Sequence, residues 1–334
     1  MVKIGNVELG EFPLLLAPME DVSDPPFRAV CKACGADMMY TEFISVEGLI
    51  RDADKSVEKL DIFDYERPVG IQIFGAELDS MLKATEIVER ENPEVLDINF
   101  GCPVKKVVCK GAGAGILKDI PKMELLTKEI VNRSNLPVTV KTRLGWDHDS
   151  IQILEVAKRL QGVGIQALSI HGRTRKQMYT GEADWSYIAE VKNSADIHIP
   201  IFGNGDIDSP QKALEYKNRF GVDGIMIGRA AIGYPWIFRE IKHYLATGEL
   251  LPPPTLEERL DICRKHFVFS LEWKQNETVA INEMKRHYAA YFKGLRGIKQ
   301  YRMRLVQSNS SQEVFDILNE IETEYQGVEF AHVY

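Results

Sequence analysis

The chain has 334 residues, 45% of them hydrophobic, 27% charged and 9% aromatic, and a net charge of −8. These values belong to a folded globular protein and exclude disordered, collagen-like and coiled-coil chains. The acid excess excludes a polycation whose whole surface coats nucleic acid, but not a local basic face. Five cysteines, an odd number, imply no disulfide framework and a reducing compartment. The early apolar run, 12–18, is short and interrupted by Pro13, and no run elsewhere reaches the about 18 residues of a membrane span. The expectation is a cytoplasmic protein with no membrane contact.

Eight short apolar runs punctuate the chain: 14–17, 38–41, 69–74, 95–99, 138–141, 167–171, 199–203 and 224–227. Helix-like segments separate them. One spans 79–92, with Asp79 as N-cap; another spans 150–160; a third starts at Ser209-Pro210, a cap followed by a first-turn proline. Solidly apolar strands alternating with helices predict a (β/α)8 TIM barrel, with a doubly wound open sheet as the alternative. Pro252-Pro253-Pro254 then suits a stiff linker, and Thr255 caps a strand-free remainder. The predicted division is a catalytic barrel over 1–250 and an all-helical domain over 251–334.

In such a barrel, chemistry sits where the strands end. The run ends carry Ala17-Pro18-Met19, Asn99-Phe100-Gly101-Cys102-Pro103, Lys141-Thr142-Arg143, His171-Gly172-Arg173, Asn204-Gly205-Asp206 and Gly228-Arg229, and Gln72 lies inside the third run. Each polar residue alone has a packing explanation, but together they predict a site. Gly205, Gly228 and Arg229 predict an anion cradle for a phosphate-bearing ligand. Lys141 suits a cation under the edge of a reduced flavin, or an aldolase Schiff base. Cys102, between Gly101 and Pro103, reads as an exposed nucleophile or proton donor.

Cys31-x-x-Cys34 has no second pair to complete a zinc site and reads as packing within a helix over 26–34, so no metal is expected. Between 285 and 304 lie Lys285, Arg286, Lys293, Arg296, Lys299, Arg302 and Arg304 without an acid, interleaved with Tyr288, Tyr291, Phe292 and Tyr301. In an acidic chain this predicts contact with a phosphate backbone. Lys105, Lys106 and Lys110 add cations beside Cys102.

The string Asp97-Ile98-Asn99-Phe100-Gly101-Cys102-Pro103-Val104-Lys105-Lys106-Val107 resembles the signature of the tRNA-dihydrouridine synthases, the bacterial B-type members above all. Ala17-Pro18-Met19, Gln72-Ile73-Phe74-Gly75, Lys141-Thr142-Arg143, His171-Gly172-Arg173, Asn204-Gly205-Asp206 and Gly228-Arg229-Ala230 extend the resemblance over almost the whole chain. It implies a flavin mononucleotide (FMN) barrel with a helical tRNA-binding domain, NADPH or NADH as reductant, and no obligate protein partner. By resemblance, Ala17, Pro18 and Met19 pack on the flavin, and Gln72 and Lys141 bond its ring edge. His171, Asn204, Gly205, Asp206, Gly228 and Arg229 hold the ribityl phosphate region. Asn99 and Arg143 face the uracil, Lys105, Lys106, Lys293 and Arg296 contact tRNA, and Cys102 donates the proton. The glycine-rich stretch 109–115 departs from the family pattern and predicts a looser loop around Cys102. Three other readings stand beside this one: a flavin barrel of the dihydroorotate-dehydrogenase type, a non-catalytic RNA-binding barrel, and a phosphate-binding aldolase.

Overall fold

Strands that are apolar on both faces are stable only where helices cover one face and a packed interior the other. The computed structural model, which describes residues 1–330, meets this requirement with a (β/α)8 barrel. A hairpin of β1 (Val2–Ile4) and β2 (Val7–Gly10) comes first. Then follow β3 (Leu14–Leu16), β4 (Met39–Tyr40), β5 (Ile44–Ser45), β6 (Val69–Phe74), β7 (Val95–Phe100), β8 (Val138–Arg143), β9 (Ala167–His171), β10 (Ile201–Asn204) and β11 (Gly224–Ile227). The barrel runs β3-β11-β10-β9-β8-β7-β6-β4. A parallel bridge between Leu15 and Met38 closes it, and Leu16 N–H donates to Met38 O at 2.9 Å. All eight apolar runs of the sequence contain barrel strands. The hairpin and β5 were not foreseen. Ile4 and Leu9 of the hairpin join Leu15, Val95, Ala167, Phe202 and Met226 in one buried cluster that plugs the barrel's lower end.

The helices are α1 (Pro25–Ala33), α2 (Val46–Leu49), α3 (Asp54–Glu58), α4 (Leu78–Arg90), α5 (Lys105–Val108), α6 (Ile120–Arg133), α7 (Ile153–Gly162), α8 (Ser186–Lys192), α9 (Pro210–Phe220) and α10 (Ile237–Thr247). Ser209 caps α9 as expected, its hydroxyl accepting from Lys212 N at 3.3 Å. Asp79 does not cap α4. It lies in the first turn, and Glu77 holds the cap position without a side-chain bond. The helix expected from Ser150 begins at Ile153, because Asp147 and Ser150 close a short 3-10 turn first. No helix among the described residues is long and apolar enough to cross a membrane.

After 251–255 the chain is helical: α11 (Leu256–Lys274), α12 (Glu277–Tyr291), α13 (Lys299–Gln307) and α14 (Ser311–Glu324). Thr255 and Glu258 form a reciprocal cap on α11. These helices bury their own cluster around Leu260, Phe267, Met284, Tyr288, Leu305 and Ile317. They lie against α1: the Phe27 ring stands 5.7 Å from His266 and 4.9 Å from His287. Arg239 of α10 pairs with Glu258 at 2.9 Å, and Trp273 Nε1 donates to Asp61 at 2.8 Å. The helical segment therefore sits beside the arc of β3, β4 and β11. Cys31 and Cys34 are both buried within this packing.

Candidate active site

Strand pleating turns alternate side chains into the barrel. Register places Asn99 opposite Lys141, and His171 opposite both Arg143 and Asn204. Their side chains line one cavity of about 940 Å3 at the C-terminal mouth, together with Ala17, Pro18, Met19, Cys102, Gly205, Asp206, Gly228 and Arg229. This volume lies near the top of the range of about 300–1,000 Å3 for small-molecule sites. The eighteen expected site residues are spread over more than two hundred positions of sequence, and thirteen of them line this cavity.

Gln72 does not line the cavity. It is fully buried beneath it, where Nε2 donates to Asp97 Oδ2 at 2.5 Å and Oε1 accepts from Asn99 Nδ2 at 2.8 Å. Thr139 Oγ1 donates to the other Asp97 oxygen at 2.5 Å. Asn99 Oδ1 in turn accepts the backbone N–H of Gly101 at 2.9 Å and of Cys102 at 2.8 Å. A polar chain thus runs from Asp97 through Gln72 and Asn99 to the turn that presents the thiol.

Cys102 is almost fully buried at the cavity wall. Burial pushes its pKa up, although the N–H of Val104 and the charges of Arg143 and Lys141 oppose the shift, so the sulfur keeps its proton at neutral pH. That favours an acid over a thiolate nucleophile. The glycine-rich stretch is not a loose loop. Residues 112–117 are buried, Ala114 N–H donates to Cys102 O at 3.0 Å, and a Cβ on Gly113 would lie 2.9 Å from that oxygen. Small residues are needed here because the segment packs directly under Cys102.

Lys141 Nζ lies 3.2 Å from Asn204 Oδ1. Burial, then the like charge of Arg143, bring its pKa down to about 8. Arg143 donates from Nε to Gly101 O at 2.8 Å and from Nη1 to Met178 O at 2.8 Å, tying the cysteine loop to the loop after β9. Burial holds His171 well below its usual pKa, reinforced by Arg143, Lys141, Arg173 and Arg229. Arg173 Nη1 stands 3.3 Å from His171 Nε2. A guanidinium only donates, so Nε2 accepts and the ring proton sits on Nδ1.

Asp206 places a carboxylate in the expected anion cradle, yet two guanidiniums answer it. Arg173 grips both oxygens, at 2.8 and 2.7 Å, and Arg229 reaches one at 3.0 Å. Burial would raise the pKa of Asp206, but Arg173, the N–H of Ala183 and Arg229 outweigh it and hold the group low. The trio keeps one net positive charge. Gly205 has φ of +120°, whereas Gly228 does not adopt a positive φ; a Cβ there would point at Met19 and Ala17 of the cavity wall. Arg173 stood in a sequence motif without an assigned role, and Tyr179 was missed altogether. Tyr179 is exposed at the rim, 5.7 Å from the Arg143 guanidinium and 5.0 Å from that of Arg229. It lies in a loop with no periodicity to mark it.

Lys105 and Lys106 are exposed on α5, outside the wall, and Lys293 and Arg296 are exposed between α12 and α13. Arg259 holds this second loop, donating to Tyr291 O at 3.2 Å and Lys293 O at 3.1 Å while standing 5.6 Å over Tyr234. Tyr234 follows the cavity residue Ile232 by two positions, so the loop flanks the mouth. The four interleaved aromatics are buried in the helical core, and Arg304 is paired with Glu320 of α14 at 2.5 Å. Those parts of the basic run are not open surface.

The family model for dihydrouridine synthase (Dus) matches residues 15–326. The chain belongs to the dihydrouridine synthase family. It is 39% identical over 302 residues to tRNA-dihydrouridine synthase B of Pseudomonas aeruginosa, covering 90% of each chain. It is 40% identical over 304 residues to the same-named protein of Pseudomonas putida, covering 91% of this chain and 89% of that one. Among solved structures, histamine dehydrogenase from Rhizobium sp. 4-9 superposes with a TM-score of 0.56 at 10% identity, over 80% of this chain and 50% of that one, which reflects the shared fold. As a dihydrouridine synthase the chain is a flavin-dependent oxidoreductase of tRNA uridine.

Proposed function

We propose that this dihydrouridine synthase reduces the C5=C6 bond of specific uridines in cytoplasmic tRNA to 5,6-dihydrouridine, with FMN as the flavin, NADPH or NADH as reductant and Cys102 as proton donor. The observation that carries this reading is a protonated, buried thiol sharing one cavity wall with Lys141 and with a cationic cradle at Gly205, Gly228 and Arg229. The cavity is large enough for a planar cofactor beside a nucleobase.

The residues present suit FMN. A Cβ at Gly228 would occupy cavity space beside Met19 and Ala17, at 3.4 and 3.5 Å, which the glycine leaves open to a ligand, and the charge left over from Arg173, Asp206 and Arg229 suits a phosphate. Ala17, Pro18 and Met19 would pack on the ring and Lys141 would face its edge. His171, Asn204, Gly205, Asp206, Gly228 and Arg229 would hold the ribityl phosphate. Gln72 would act only through Asn99. Bound FMN supplies the hydride that enters at C6 of the uracil. Cys102 gives its proton to C5, and the thiolate regains one from solvent. Asn99 holds the turn that aims the thiol, and Arg143 fixes both rim loops around the base. The uridine must leave its stack, at a cost of a few kcal/mol, which is about what cationic contacts along the backbone can offset. Lys293 and Arg296 on one side, and Lys105 and Lys106 on the other, would make such contacts.

The test is dihydrouridine mapping in tRNA from cells with and without the gene, joined to turnover by the purified protein. Specific uridines should lose the modification with the gene. The Cys102→Ala enzyme should bind FMN and tRNA but turn over far more slowly; wild-type turnover would refute the proton-donor role.

A further inference from the structure

Two cations at the mouth, Arg173 and Arg229, are answered by the carboxylate of Asp206. Lys118 and Arg175 are held in another way. Lys118 Nζ stands 3.8 Å from the centroid of the Trp146 ring, and the Arg175 guanidinium 4.8 Å from it. An aromatic face attracts a cation through its quadrupole but carries no net charge, so it fixes the cation without neutralising it. Nε of Arg175 is buried without a hydrogen-bond partner. Two acids close in sequence are engaged elsewhere: Asp147 pairs with Lys176 at 2.8 Å, and Asp119 caps α6 by accepting from Lys122 N at 3.1 Å.

Topology places this cluster. Lys118 ends the excursion between β7 and α6 that also carries Lys105 and Lys106, Trp146 follows β8, and Arg175 follows β9. Arg143 Nη1 donates to Thr174 O at 3.2 Å, which joins the cluster to the cavity wall. In barrel order, β7, β8 and β9 face the arc of β3, β4 and β11 across the mouth. The helical segment sits beside that opposite arc.

We propose that Lys118 and Arg175, braced on Trp146, form a second contact for the RNA phosphate backbone, so that tRNA spans the mouth from the helical segment to this rim and lays its target uridine over the cavity. The inference rests on the tRNA reading above. Its partner is a polyanion because the two charges are fixed and unneutralised in a chain of net charge −8. The span explains how one nucleotide is centred: a single anchor leaves the RNA free to pivot, whereas two anchors on facing arcs do not.

The experiment measures the Kd of an unmodified tRNA transcript against salt for the full-length, FMN-loaded protein. Each lost duplex phosphate contact should flatten the slope of log K against log salt by about 0.9. The double variant Lys118→Gln, Arg175→Gln should bind about tenfold more weakly at low salt, with a slope flatter by about two contacts. Arg175→Lys should restore most of the slope, and flavin absorbance should not change. Should the double variant fold poorly, Lys118→Gln alone, at an exposed position, should still flatten the slope by about one contact. If the rim variants leave Kd and slope unchanged while Lys293→Glu, Arg296→Glu weakens binding, the second contact is refuted and the tRNA reading stands. If neither set changes binding, the tRNA reading falls as well. A raised KM for NADPH with an unchanged tRNA Kd would assign the cations to the reductant instead, and overturn the proposal.

Discussion

Gln72 Nε2 donates to Asp97 Oδ2 at 2.5 Å, and this contact sets the direction of the hydrogen bonds above it. A carboxylate only accepts, so it turns the Gln72 amide nitrogen downward and the oxygen upward. Asn99 must then offer its nitrogen to Gln72, leaving its oxygen for the N–H groups of Gly101 and Cys102. Gln72→Leu leaves Asp97 and Asn99 each short of a buried partner, at about 1–3 kcal/mol per group, and frees the cysteine turn. Asp97→Asn keeps the order: the new oxygen accepts from Gln72, while the Thr139 hydroxyl rotates to accept from the new nitrogen. Iodoacetamide labelling of Cys102, followed by peptide mass spectrometry in a Cys109→Ser background, should change rate with Gln72→Leu and stay near wild type with Asp97→Asn. Equal rates in all three proteins would show that the chain does not position the thiol.

Lys141 is charged below a pKa of about 8 and neutral above it. If its cation steadies an electron-rich ring edge, FMN affinity should fall as pH rises through about 8, and Lys141→Met should weaken binding at neutral pH and flatten this dependence. Flavin fluorescence titrations on either side of that pH give both readings. A pH-independent affinity in the wild type would remove Lys141 from the cofactor edge.

The inward residues were legible because a barrel strand has a period of two and a fixed rim: once β7 and β8 are recognised, Asn99, Lys141 and Arg143 must converge. The depth of Gln72 was not legible: the same pleat turns it inside but one layer lower, and depth along a strand depends on barrel stagger. The basic run was half legible. Ile281, Met284, Tyr288 and Tyr291 recur at helical spacing and mark a buried face, so those tyrosines could have been assigned to the core from sequence. The Glu320 partner of Arg304 could not, since it comes from α14 through tertiary packing. Tyr179, Trp146 and Arg175 lie on irregular loops and Lys118 ends a short 3-10 helix, where no period marks position.

Gly113 has φ of +53° and sits under the Cys102 carbonyl. Gly113→Ala would hold a Cβ in the left-handed region and against that oxygen, a strain of about 1–3 kcal/mol. The denaturant midpoint should fall, and turnover should fall further than stability explains, because the displaced backbone carries the thiol. Reduced stability with unchanged turnover would show that the floor is structural only.

Asp24 caps α1, accepting from Phe27 N at 3.0 Å, yet it is buried where α1 meets the helical segment. Burial raises its pKa to about 7; the N–H of Phe27 opposes the shift, Glu283 and Glu42 add to it, and Arg28 opposes it. Between the ordinary carboxylate pKa and about 7 the native state therefore binds the proton that the unfolded chain has released. Over that interval the contribution of Asp24 to stability falls as pH rises, and above about 7 it is constant. Asn is as good a cap and carries no charge to bury. Asp24→Asn should thus gain on the wild type progressively from pH about 4 to about 7 and hold a constant advantage above that. Urea unfolding of both proteins across this range measures the difference directly. A difference that does not vary with pH would mean that Asp24 ionises in the folded protein as it does in water.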